Sequence, residues 1–81
     1  MKVTSLKVHL TFHEETIKEP IIFQVGKDYN VVTNIRRADV TEKTGWVDLE
    51  LIGDMEEIEK AVGHLKKKGV GVDPIERNII E

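Results

Sequence analysis

Residues 29–53, YNVVTNIRRADVTEKTGWVDLELIG, read as two long strands folded back on each other, and the rest of the chain can be placed around that hairpin. Over residues 46–52, Val47, Leu49 and Leu51 fall on one face and Trp46, Asp48 and Glu50 on the other, the period of a half-buried strand. Between the strands, Thr41-Glu42-Lys43-Thr44-Gly45 is polar and ends in glycine, which suits a tight antiparallel turn. The first strand, Val31–Val40, breaks its own alternation: Val32, Ala38 and Val40 share a parity with Arg36, whereas Ile35 has the other. Two readings account for this. Either a bulge near Arg36-Arg37 flips the facing of everything beyond it, or the strand lies at a sheet edge with both faces mixed.

Such a hairpin needs a cover over its apolar face, and the flanking segments supply one. Residues 3–12 alternate Leu6, Val8, Leu10 and Phe12 with Lys7, His9 and Thr11, predicting a strand. His13-Glu14-Glu15-Thr16 is polar and reads as a loop. Pro20 then suits the first turn of a short helix over residues 20–28, where its missing N–H is harmless. Ile21, Ile22, Val25 and Tyr29 make its apolar stripe, and Gly26 costs it up to about 1 kcal/mol relative to alanine. After Gly53, Asp54 and Glu57 have capping-box spacing at the start of a second helix carrying Ile58, Ala61, Val62 and Leu65. Lys66-Lys67-Lys68 complements that helix's C-terminal dipole, and Gly69 can take the left-handed position beyond it. Residues 70–80 favour a last strand, which Pro74 confines to an edge because proline cannot donate to a ladder.

The order β-α-β-β-α-β predicts an α+β, ferredoxin-like fold with a four-stranded antiparallel sheet ordered 4-1-3-2 and both helices on one face. The expected core is Leu6, Val8, Leu10, Val47, Leu49 and Leu51 beneath Ile22, Val25, Ile58, Val62 and Leu65. Lys7, His9, Asp48 and Glu50 would then occupy the open face, where opposite charges pair across strands.

Eighty-one residues make one small domain, 1–81, and leave no room for a second. With no cysteine, the chain holds no disulfide, thiolate metal site, iron–sulfur ligand or cysteine nucleophile. Twelve basic against 15 acidic residues give a net charge of −3, which is not the footprint of a nucleic-acid binder. No apolar run approaches the roughly 20 residues of a membrane span, and Met1-Lys2-Val3 opens a strand-like pattern rather than a signal peptide. These features set the expectation of a cytoplasmic protein. His9, His13 and His64 are spread over a strand, a loop and a helix, so surface histidines rather than metal ligands are expected. Arg36-Arg37 could grip a carboxylate, and no nucleophile–base–acid set marks an enzyme. On the open face the central strands offer only Trp46, too little for base stacking of the RNA-recognition kind.

The opening strand KVHLTF, Pro20-Ile21-Ile22, Asn30-Val31 with Asn34-Ile35, the block Leu49-Glu50-Leu51-Ile52-Gly53-Asp54 and the run EEIEKAVGHLKKKGVGVDPIE follow one another in an order that resembles the NIL domain, an ACT-like ferredoxin-fold module. The namesake tripeptide is Asn-Ile-Leu; Arg36 stands here in the place of its leucine. The resemblance implies a non-enzymatic regulatory or sensing role in sulfur amino-acid metabolism. In one setting of the family it is the C-terminal domain of methionine-importer ABC transporter ATPases, where paired domains bind methionine. In the other it is joined to a two-cluster 4Fe-4S ferredoxin segment in proteins linked to homocysteine formation, and the forms NIRRADV and VGVDPIERNIIE look more like this second one. The 4Fe-4S clusters would belong to that segment, since this chain carries no cofactor ligands.

On that resemblance, Asn34 on an edge strand, with Asn30, Ile35 and Arg36 around it, is the expected ligand site for methionine or a related amino acid. An edge strand leaves backbone N–H and C=O groups free for the ligand's carboxylate and ammonium. The other reading of Asn34 is that it satisfies backbone beside a bulge. A homodimer or higher oligomer through the sheet edge or the open face is expected as well. The alternative function is an assembly module that docks a ferredoxin or an enzyme without any ligand.

Overall fold

The computed structural model describes residues 3–80, with side chains described for residues 3–76. Met1 and Lys2 lie outside the described residues. The chain forms β1 (Val3–Phe12), α1 (Glu14–Ile17), α2 (Ile21–Asp28), β2 (Val31–Val40), β3 (Gly45–Asp54), α3 (Met55–Lys67) and β4 (Gly71–Ile80). One antiparallel sheet runs β2-β3-β1-β4, the predicted order, with β2 and β4 at its edges.

Alternation drives the central pairing. Leu6 faces Leu51, Val8 faces Leu49 and Leu10 faces Val47 across β1 and β3, so one sheet face is continuously apolar. Helices α2 and α3 seal that face: Val8, Leu10, Val25, Leu49, Leu51, Ile58, Ala61 and Leu65 have no solvent exposure. Two core assignments shift by one position. Ile21 and Ala61 are buried, while Ile22 and Val62 are only half-buried against the cluster's rim. Adjacent residues in a helix lie about 100° apart, so an eight-residue helix such as α2 leaves its phase poorly fixed by pattern alone.

The expected loop at residues 13–16 contains α1 instead. The Thr16 hydroxyl donates to the His13 carbonyl (3.1 Å) and accepts from the His13 N–H (2.8 Å), closing this single turn with local bonds rather than apolar periodicity. The capping box expected at α3 is not formed, because Asp54 makes no side-chain cap bond. Glu57 turns outward and accepts the Asn30 N–H at 3.0 Å, tying the start of β2 to α3. The other end of α3 closes as expected. Gly69 (φ +91°) donates to Lys66 O and Val70 to Leu65 O, a Schellman arrangement with Val70 and Leu65 both buried.

Each edge strand carries one irregularity. In β2, Ile35 faces Leu49 and Arg37 faces Asp48, which leaves Arg36 as the extra residue of a bulge. In β4, Lys7 of β1 faces Glu76 and Val8 faces Pro74, so Ile75 is extra and Pro74 sits on an edge strand as required. The hairpin turn is held by Thr41, whose N–H donates to Thr44 O (2.8 Å) and whose hydroxyl accepts the Thr44 N–H (3.1 Å).

Candidate functional site

The bulge decides what the edge of β2 presents. Asn34 is opposite Glu50 on the face away from the helices, and the extra residue Arg36 brings its guanidinium to the same carboxylate. Glu50 Oε1 accepts from Asn34 Nδ2 at 3.3 Å and lies 3.6 Å from Arg36 Nη1, while Oε2 accepts from the buried Ser5 hydroxyl of β1 at 2.6 Å. Its side chain is only 14 % exposed. The hydrogen bonds from Ser5 and Asn34, helped by Arg36 and Lys7, outweigh desolvation and hold the Glu50 carboxyl below the usual glutamate range. An anion and a cation thus stand side by side at a strand edge, the pairing that an α-amino acid's ammonium and carboxylate would meet.

The four residues singled out in the sequence are not all together. Asn34 and Arg36 meet at Glu50; Ile35 points to the helix side, opposite Leu49, and is 54 % exposed there. Asn30 precedes β2 and is anchored through its N–H to Glu57, whose carboxyl is lowered by that bond and by Lys60. Four surface grooves, of about 200–470 Å³, are lined by other residues. The sequence reading missed Glu50 as the centre of the group. Its signal was the hairpin register, which becomes explicit only once the bulge is placed.

A second cluster lies beside it on the open face. His9 Nδ1 is 2.6 Å from Asp48 Oδ1, and the imidazole stacks on Trp46 with ring centroids 5.4 Å apart. Arg37 lies over the same indole at 5.7 Å, within cation–π range. A shallow groove of about 340 Å³ runs past His9, His13, Asp39 and Trp46 toward the hairpin turn. Among the described residues no three metal-ligating side chains converge. His64 is not the surface residue expected: its Nδ1 is 3.3 Å from the Tyr29 hydroxyl, the rings meet edge to face, and Nε2 is buried without a partner. Of the lysine run, Lys68 pairs with Glu19 at 3.5 Å, tethering the end of α3 to the segment between α1 and α2.

The architecture is that of an α+β, ferredoxin-like domain whose edge strand β2 carries an amide and a guanidinium that meet a carboxylate of the neighbouring strand β3. Residues 6–74 match the NIL domain, and the chain belongs to that family. It is 28 % identical over 75 residues to the methionine import ATP-binding protein MetN of Streptomyces avermitilis, a match that covers 88 % of this chain and 22 % of that protein. Among solved structures it is similar to the C-terminal domain of an ABC transporter ATP-binding protein from Enterococcus faecalis, with a TM-score of 0.76 and 28 % identity over 86 % of this chain and 82 % of that one. The chain thus spans under a quarter of its curated relative's length and matches a separable domain of such proteins. Among the described residues, no helix is long and apolar enough to cross a membrane.

Proposed function

We propose that this chain is a non-catalytic, cytoplasmic sensing domain that binds methionine or a close sulfur amino acid at the free edge of β2. The observation that supports this most directly is the convergence of Asn34 and Arg36 on Glu50 at that edge, in a NIL domain similar to part of a methionine import protein. Arg36 and outward-facing backbone N–H groups receive the ligand carboxylate, Glu50 receives its ammonium, and Asn34 orients both. The exposed Ile35, on the other side of the strand, becomes a wall for the ligand only where a second subunit brings its own edge against β2. The active form is therefore a homodimer or higher oligomer paired through the sheet edge or open face.

Calorimetric titration with methionine, homocysteine and cysteine tests the reading. Saturable heat is expected for at least one. A folded Asn34→Ala should bind about tenfold more weakly, or ~1.4 kcal/mol; unchanged affinity would remove Asn34 from the site.

One observation favours a second reading, an assembly module that docks an enzyme or a 4Fe-4S ferredoxin segment. Trp46, flanked by His9 and Arg37 on the uncovered sheet face, has the aromatic-plus-arginine composition of interface hot spots. No heat with any of the three amino acids, together with loss of partner capture in Trp46→Ala, would transfer the function to docking.

A further inference from the structure

Helix α3 turns one flank toward α2, where His64 meets Tyr29, and another flank away from it. On the second flank Glu59, Val62, Gly63 and Lys66 recur at i, i+3, i+4 and i+7, so they share one helical face. That face borders a groove of about 320 Å³ whose remaining walls are Leu6, Val8, Val72 and Pro74. The sheet next to β4 is therefore incompletely roofed.

Nothing among the described residues explains the composition of this flank. Gly63 is exposed within α3, and a Cβ built there meets no atom within 4 Å. Glycine in a helix interior costs about 1 kcal/mol relative to alanine, so the absent side chain weakens the helix and relieves no internal clash. Glu59 and Lys66 are both exposed, and neither side chain has an ion-pair or hydrogen-bond partner among the described residues. Seven residues separate them, about 10 Å along the axis at 1.5 Å per residue, too far for them to pair with each other.

The spacing fits a second copy. When two identical helices pack antiparallel about a two-fold axis, residues equidistant from the axis on either side face each other. The pair Glu59 and Lys66 has its midpoint between Val62 and Gly63. One register thus sets Gly63 against Val62 of the second copy and, at the same time, Glu59 against Lys66 of the second copy, with each contact repeated by symmetry. We propose that this flank of α3 is a self-association surface occupied by α3 of a second copy, separate from the edge of β2. Gly63 lets the two helix backbones approach, Val62 and the groove supply the apolar centre, and two charge pairs form its polar rim.

Sedimentation equilibrium tests this with three proteins: the wild type, Glu59→Lys and Lys66→Glu. Both substituted positions are exposed, so each variant should keep the wild-type fold, read as an unchanged circular dichroism spectrum. Each single variant places like charges opposite one another and should raise the self-dissociation constant about tenfold. An equimolar mixture of the two variants restores both pairs and should return to the wild-type value. The chain contains no cysteine, so Gly63→Cys adds a direct readout: oxidation should produce a disulfide-linked dimer, and a cysteine at the exposed Lys27 of α2 should not. The proposal is overturned if the single variants sediment like the wild type, if the mixture is no tighter than either variant alone, or if Gly63→Cys cross-links no better than Lys27→Cys.

Discussion

Asn34 and Glu50 face each other across β2 and β3, and the amide donates to the carboxylate at 3.3 Å while Ser5 donates to its other oxygen at 2.6 Å. Three strands are thereby joined through one side chain. Because both donors favour the ionised form, the folded Glu50 carboxyl is depressed, and its contribution to stability is fully present above the unfolded-chain value of about 4.3. It is lost as pH falls through the lower folded value. Unfolding free energy, measured by urea titration, should therefore drop below about pH 4.3, and the drop should be shallower in Glu50→Gln, whose amide cannot titrate. Identical slopes in the two proteins would show that Glu50 is not held in this way. Glu57, lowered by the Asn30 N–H and by Lys60, supplies part of the slope that remains.

Removing the extra residue tests the bulge. Deleting Arg36 leaves Ile35 on the helix side, Arg37 on the open side and Ala38 on the helix side, an unbroken alternation. The deletion variant should fold with Asn34 still opposite Glu50 and Asp39 still opposite Trp46, observable as cross-strand NOEs. Under the proposed function it should also lose amino-acid binding. A slipped register on either side of the deletion would mean that the bulge sets the pairing rather than decorating it.

The shifted phase of α2 yields a paired prediction. Ile21 is 1 % exposed and Ile22 is half-buried. Ile21→Ala should cost about 2–5 kcal/mol, through lost burial plus the cavity left behind. Ile22→Ala should cost about 1 kcal/mol, in keeping with partial burial. Equal losses in denaturant titrations would contradict the observed facing.

How much of this was legible beforehand follows from the range of each interaction. The alternation of Leu6, Val8 and Leu10 against Val47, Leu49 and Leu51 is a local pattern, so the strands, their order and the edge positions of Pro74 and Val31–Val40 could be read directly. The bulge at Arg36 was one of two readings, and only the pairing with β3 chose between them. Helix α1 carries no apolar period to betray it, being held by the bonds between Thr16 and His13. The capping box failed for a long-range reason, since Glu57 is engaged by the Asn30 N–H, 27 positions away. The candidate site was half legible for the same cause. Asn34 and Arg36 were visible as chemistry, but Glu50, which unites them, belongs to another strand and becomes their partner only through register.

The two glycines of the α3 region should respond in opposite directions. Gly69 sits at φ +91° beyond the helix, a conformation that costs an L-residue about 1–2 kcal/mol, and its N–H and that of Val70 close the last turn. Gly69→Ala should therefore lower the melting temperature, by about 4–8 °C per kcal/mol for a domain of this size. Gly63 lies inside the helix with open space where a Cβ would be. Gly63→Ala should accordingly stabilise the chain by up to about 1 kcal/mol through helix propensity alone. Both are to be measured by thermal denaturation at concentrations dilute enough for the chain to be monomeric, so that self-association does not enter. A loss of stability in Gly63→Ala under those conditions would mean that the chain itself needs glycine there, and would remove the reason for assigning its vacant side-chain position to a second copy.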